Sequence, residues 1–592
     1  MELDVKSSTE EEKQQGQDGL LSRITLAHTF YFLIVITAAI LRLSDLNLVP
    51  LSPSEATEAL AIWNFWLPDS EALTFASPLY FTTTAFLTQV LGFNDPIMRL
   101  VPALFGICLV ILPWFLRRRI GILGAILTGL LFTLSPGLVV ASRTAGGQSS
   151  ALFAGLLCFI AWLRYQETSD NRWFYILALT FGLGLASAPI FYSLILVFAL
   201  AWITHMLVGP ALISDEEGHR QATRWPGRQT MIESALILAA VLIVGSTAFL
   251  LSPGGLGSTA DIIAAWTGQF LNFVSAQLWL SPFLAIGRYE ITLIILGLPA
   301  VIWASRNEAS FPPYLVVAIC WALLLILLQP GEMSNLLVLA LPGYLLIGNF
   351  TGHIFDKIAS WIDIAVMIIV LLAGGIVVAN VIRYGRLGGF QSSQTGTYHL
   401  LLALTAIILA IIVITMIWSW REQSVTAGVT AGLSLLLLAS MWSNAWWFSR
   451  SGLNDTRELW TQTASVDDVR LLAESVKEIS WQFTNSETDL DIKSTVDSPS
   501  LRWYLRDMVD FKIVATLTNS DFSQVLLTPM SDVPPLPADY IGTDFTYLRT
   551  DTNHFLTAQE RLNWWLFRES PVPITEEGLI LWLRADLAGG SL

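Results

Sequence analysis

The chain has 592 residues, 54% of them hydrophobic and only 13% charged, with a mean hydropathy of +0.60 and a formal charge of −15. A single soluble core is excluded, because most of such a chain belongs in a bilayer. The acidic balance leaves no basic face to track phosphodiesters, which excludes nucleic acid as a partner. The three cysteines, Cys108, Cys158 and Cys320, lie far apart in apolar runs without CxxC spacing, so they read as small core residues and imply neither disulfides nor a metal site.

In chain order, residues 1–22 are acidic and polar with no cleavage site, which predicts a disordered cytoplasmic tail followed by an uncleaved signal anchor. Spanning helices need about 20 mostly apolar residues. Thirteen runs qualify, near 24–44, 97–116, 121–141, 149–164, 172–188, 190–207, 231–251, 289–305, 312–328, 334–351, 361–381, 399–418 and 425–447. One assignment of the loops puts twelve Lys and Arg on the first side and six on the other, Arg383 and Arg386 among the six. The positive-inside rule then places the N-terminus in the cytoplasm and everything after about residue 448 outside. The expected fold is an all-α polytopic membrane protein with about 13 transmembrane helices over 23–448, followed by a small extracytoplasmic α/β domain over 449–592.

Within the first outer loop, 45–96, the runs Ala56–Trp66 and Leu79–Leu91 are too short or too polar to cross and read as interfacial helices. In the tail, the pattern predicts helices at Val466–Trp481, Leu501–Met508 and Ala558–Phe567. Strands are expected at Leu490–Lys493, Phe511–Thr516, Gln524–Thr528 and Leu579–Leu583, and a Pro-rich loop at Val533–Pro537.

No GxGxxG, P-loop, HExxH or GxSxG is present, which argues against ATP-driven or nucleotide-sugar chemistry. Chemistry is instead expected at the outer membrane edge. Glu55 and Glu58, three apart on one helix face, offer a general base or a hold for a divalent cation. Ser52-Pro53-Ser54-Glu55 is equally a capping box with proline at the first helical position, so Glu55 has a structural reading too. Arg99 and Arg143 flank apolar spans and match phosphate oxygens, the alternative being snorkelling or an Arg99–Asp95 pair. Gly331-Glu332-Met333 lies at the end of a span, where it is either a site residue or a turn. Trp442, Trp446, Trp447 and Phe448 read as an interfacial aromatic belt, and six scattered histidines show no ligand spacing.

These residues, in this order, resemble the GT-C type membrane glycosyltransferases that use polyprenyl phosphates, the superfamily of protein O-mannosyltransferases and lipid A aminoarabinose transferases. The resemblance is carried by Ser54-Glu55-Ala56, Ser77-Pro78-Leu79-Tyr80, Arg99-Leu100-Val101-Pro102-Ala103-Leu104 and Arg117-Arg118-Arg119. Trp460-Thr461-Gln462-Thr463, Trp503-Tyr504-Leu505-Arg506-Asp507 and Trp564-Trp565-Leu566-Phe567-Arg568 are similar to the flippase-activity-associated proteins of archaeal and bacterial N-glycosylation. The resemblance implies Glu55 and Glu58 as catalytic carboxylates, with Glu55 as the base that assists deprotonation of an acceptor hydroxyl, Arg99, Arg143, Tyr80 and Glu332 as substrate and phosphate contacts, and a prokaryotic plasma membrane. It also departs from the family pattern, since Ser54, Gly146, Gln148 and Met333 stand where the family carries Asp, Arg, Asp and Lys. Two expectations follow. One is an enzyme that moves a sugar from a polyprenyl-phosphate-linked donor to an acceptor on the outer face. The other is a degenerate homologue that binds lipid-linked sugar or assists a flippase or glycosylation partner without chemistry. A transporter would show paired broken helices in two symmetric halves, and no such symmetry is visible.

Overall fold

In hydrocarbon only intrahelical bonds satisfy the backbone, so long apolar runs fold as helices. In a computed structural model of the protein, the residues described are 26–67, 75–208, 224–271, 276–307, 311–358, 360–387, 394–518, 523–530, 539–550, 557–568 and 573–588. The N-terminal tail and the Val533–Pro537 loop lie outside them. The chain runs through α1 (Leu26–Leu43), α2 (Pro53–Phe65), α3 (Pro78–Leu91), α4 (Asp95–Ile120), a bent pair α5 (Ile122–Leu134) and α6 (Pro136–Arg143), then α7 (Gln148–Thr168), α8 (Asn171–Leu185), α9 (Pro189–Val208), α10 (Arg228–Ser246) and α11 (Gly255–Gly268). A second bent pair, α12 (Ala276–Tyr289) and α13 (Ile291–Ser305), is followed by α14 (Phe311–Leu328), α15 (Asn335–Phe355), α16 (Trp361–Arg386), α17 (Gln394–Trp418) and α18 (Glu422–Phe448).

Every predicted span is helical, but the count of thirteen needs correction. Among the described residues nine helices are long and apolar enough to cross a membrane, or eleven if each bent pair is one span. The protein is multi-pass on either count. The shortfall lies in α7 and α8. Helix α8 has 15 residues, about 22 Å at 1.5 Å per residue. Helix α7 carries Gln148, Ser149, Ser150, Arg164, Gln166 and Glu167 and buries most of its surface among its neighbours. Helix α15 is buried along nearly its whole length and forms the centre of the bundle, whereas α17, apolar all round, is almost wholly exposed, as a lipid-facing helix is. Of the cysteines only Cys158 is buried. Cys108 and Cys320 are exposed on the flanks of their spans, so the core reading holds for one of three.

Both bends have local causes. Between α5 and α6 the chain turns by 57° at Ser135-Pro136, where proline supplies no N–H and Ser135 Oγ caps the new helix by accepting from Leu138 N–H. The orphaned carbonyls of Phe132 and Thr133 accept from the wholly buried Arg42. The α12–α13 pair turns by 83° at Glu290. The Glu290 carboxylate accepts from Ser135 Oγ (2.6 Å), Gly137 N–H (3.2 Å) and the Tyr344 hydroxyl, and so ties the two bends together.

The tail folds as a six-stranded mixed sheet, ordered β1-β5-β6-β4-β2-β3, from β1 (Thr463–Ser465), β2 (Asp491–Ser494), β3 (Asp510–Ile513), β4 (Val525–Pro529), β5 (Tyr540–Thr550) and β6 (Thr575–Arg584). β2 pairs in parallel with β3 and β4, and the other neighbours are antiparallel. Helices α19 (Asp468–Thr484), α20 (Pro499–Tyr504) and α21 (Ala558–Phe567) accompany it. Val469, Leu472, Ala473 and Val476 recur at helical spacing and bury that face of α19 against the sheet. The sequence pattern missed β1, which is three residues long, and β5, whose Gly542, Thr543, Asp544 and Thr546 break the apolar alternation on which strand recognition rests.

Candidate functional site

The expected capping box forms. Ser52 Oγ accepts from Glu55 N–H (3.4 Å), and Glu55 Oε2 accepts from Ser52 N–H (2.9 Å). The same carboxylate takes a two-pronged contact from Arg99, Nε to Oε1 at 2.9 Å and a terminal nitrogen to Oε2 at 2.6 Å, and Oε1 also accepts from Ala145 N–H (2.8 Å). Burial pushes the Glu55 carboxyl up, but the Arg99 charge and these hydrogen bonds outweigh it and hold it below the usual carboxylate range. Two bonds on each oxygen fill the acceptor capacity of Glu55. The other donors of Arg99 go to the carbonyls of Leu46, Val49 and Pro50, so one arginine fastens the first loop to α4. The Arg99–Asp95 pairing entertained from the sequence gives way to this one. Asp95 instead accepts from Arg470 (2.6 Å), Trp503 Nε1 (2.9 Å) and the Tyr504 hydroxyl (2.6 Å), all from the tail.

Arg143 is a helix cap. Its terminal nitrogens donate to the carbonyls of Leu41, Arg42, Ser44 and Asp45 at the C-terminal end of α1, where a cation meets the negative end of the helix dipole. Tyr80 donates to Met98 O (2.8 Å) and holds α3 against α4. Glu332 accepts from Gln269 (3.0 Å) and Ser334 Oγ (2.7 Å) beside Gly331, whose φ of +82° marks a turn. Trp442 and Trp446 are exposed as a belt would be, but Trp447 and Phe448 turn inward, and Trp447 donates to Glu458 (3.1 Å).

Glu58 differs from these. Its Oε2 has no hydrogen-bond partner among the described residues, and burial, opposed by a hydrogen bond from the Ala76 backbone, raises its carboxyl to about 7. The folded protein therefore keeps a proton on Glu58 that the unfolded chain loses near the ordinary value of 4.5. The stability this contributes is present below pH ~4.5 and is lost as pH rises through about 7. Glu58→Gln should match the wild type at about pH 4 and melt higher at about pH 8, by an amount worth up to about 3 kcal/mol. An identical pH slope in both proteins would refute the assignment.

A cavity of ≈ 290 Å³ opens between the first loop, the end of α6 and the start of the tail, lined by Ser52, Ser54, Glu55, Thr144, Asn454 and Gln462 among others. Its walls are polar and apolar in equal measure. Of the predicted site residues, Glu55 and Arg99 line it and Glu58, Tyr80, Arg143 and Glu332 do not. Ser54, where the family pattern has an acid, faces it. Among the described residues no group of three or more His, Cys, Asp or Glu is placed to hold a metal ion, and the oxygens of Glu55 accept from N–H donors. Residues that the sequence reading missed are Asn454 in the wall, Glu290 at the bends, and Glu458, which accepts from Tyr289 (2.7 Å) and pairs with Arg568 (2.9 Å). For Glu290 a signal existed, since a lone carboxylate at the start of an apolar run is costly unless it has a task.

This bundle, with its loop helices and tail domain, has the fold of the GT-C membrane glycosyltransferases. Residues 75–245 match the dolichyl-phosphate-mannose-protein mannosyltransferase family. ArnT from Cupriavidus metallidurans bound to undecaprenyl phosphate is similar with a TM-score of 0.55 and 12% identity, over 95% of this chain and 99% of that one. The apo form of the same protein gives 0.53 and 14%, over 96% and 100%. Comparison with curated proteins gives no match.

Proposed function

We propose that the protein is a membrane glycosyltransferase that takes a sugar from a polyprenyl-phosphate-linked donor and transfers it to an acceptor at the extracytoplasmic face of a prokaryotic plasma membrane. The observation that carries this reading is the half-polar cavity bounded by Ser54, Glu55 and Thr144 on one side and Asn454 and Gln462 on the other. Hydroxyl and amide groups of this kind hydrogen-bond the hydroxyls of a sugar. The matching family and an ArnT solved with undecaprenyl phosphate support the donor class.

One observation favours the non-catalytic alternative. Among the described residues Glu55 is the one carboxylate that lines the cavity, its oxygens are taken by four N–H donors, and Ser54 supplies no replacement base. The two readings part in one experiment, in which purified protein is incubated with polyprenyl-phosphate mannose and glucose and release or transfer of sugar is followed. Turnover by the wild type establishes the transferase. Binding without turnover establishes the alternative, and there Ser54→Asp, which restores an acid at a helix N-terminus that tolerates negative charge, should bring turnover up by roughly 10²-fold or more. Neither binding nor turnover would sink both.

A further inference from the structure

At the end of the bundle away from this cavity the helices leave a second, larger void. Helix α7 starts beside the polar site and ends at Thr168, α8 returns from Asn171, and α10 starts at Arg228 and reaches the first loop at its other end, where the Gly245 carbonyl accepts from Thr82. The segment Thr168–Asn171 and the start of α10 therefore share the far end. Helix α9 leans on α7 and α14, while α10 leans on α8. Between α9 and α10 lies a cavity of ≈ 1020 Å³, at the upper end of the roughly 300–1,000 Å³ of small-molecule sites. Phe159, Trp162, Phe181, Phe198, Trp202 and Leu238 are among its walls, which are almost entirely apolar. Ile203, Met206, Trp225 and Met231 form an exposed apolar lip.

The rim is basic. Arg172, at the second residue of α8, and Arg228, at the first of α10, are exposed and have no ion-pair partner among the described residues. Arg224, next to Trp225, is positioned by hydrogen bonds of its own backbone N–H and carbonyl to Gln166 (both 2.9 Å). Apolar walls alone would accept any chain. Arginines at the mouth of a crevice between membrane helices select a phosphate headgroup on that chain, as basic pockets between spans do for anionic lipids.

We propose that the α9–α10 crevice is a binding site for an anionic phospholipid of the leaflet at this end, with acyl chains along Phe159, Trp202 and Leu238 and the phosphate held by Arg172 and Arg228. The site is separate from the cavity that would handle sugar and stands whether or not that reading does.

The test is native mass spectrometry of the full chain, delipidated in detergent and given equimolar phosphatidylglycerol and phosphatidylcholine. Wild type should retain phosphatidylglycerol preferentially. Arg172→Gln with Arg228→Gln should cut that preference roughly tenfold or more, since each basic side chain at an anionic surface changes affinity by about fivefold. Ala199→Trp with Ala235→Trp fills the crevice from two exposed positions on its wall and should abolish retention of both lipids at an unchanged melting temperature. Equal retention of the two lipids, or a preference that survives both double variants, would overturn the proposal. So would stoichiometric displacement of phosphatidylglycerol by undecaprenyl phosphate, which would make the crevice the seat of a prenyl chain.

Discussion

Glu55→Gln should unsettle the fold before it affects any chemistry. The variant leaves Arg99, 4% exposed and hemmed in by the carbonyls of Leu46, Val49 and Pro50, without its counter-charge. Breaking a buried pair from one side costs about 3–5 kcal/mol. At about 2 °C per kcal/mol for a large chain, the apparent melting temperature in detergent should fall by roughly 5–10 °C. The double change Glu55→Gln with Arg99→Met removes both charges and should recover much of the loss, so the cycle reads the pair rather than either residue. A general base behaves otherwise, losing turnover by roughly 10²–10⁴-fold on an unshifted fold. An unmoved melting temperature with lost turnover would return Glu55 to that role.

Asp95→Asn should release the tail from the first loop. Asp95 is nearly buried and collects Arg470, Trp503 and Tyr504. Tyr504 also accepts from Leu51 N–H (3.0 Å), and Trp503 is wholly buried. Hydrogen bonds to a charged acceptor contribute about 1.5–3 kcal/mol each, and an unsatisfied buried partner costs more. A combined loss of about 3–5 kcal/mol should appear as faster amide exchange across α20 and β1 and as earlier proteolytic cutting of the tail. Arg502→Gln is the control. Its pair with Asp497 is half exposed on both sides, worth about 0–1 kcal/mol, and should change neither measurement. Equal exchange in Asp95→Asn and wild type would show that the apolar contact of α20 with α2 suffices to hold the tail.

Composition and short-range pattern by themselves determined the multi-pass architecture, the helical character of the apolar runs, the Ser52–Glu55 cap and the amphipathic α19. Each rests on residues within one or two turns of each other, where propensity, capping and periodicity act. Ser135-Pro136 was legible in the same way, as a capping residue before proline inside an apolar run, although the run was read as one straight span. The sequence also put Glu55, Arg99 and Ser54 in one region through their resemblance to a known pattern, but it left open which charge met which. Tertiary structure decided that Arg99 faces Glu55, 44 positions away, and that Asp95 faces Tyr504, 409 positions away. It likewise spent Arg143 on the end of α1 and joined the two bends through Glu290. The reason is physical. A buried charge must find a partner, and several were available within the same apolar neighbourhood, so the choice among them followed from how the helices pack and from where broken helices leave carbonyls and N–H groups unsatisfied.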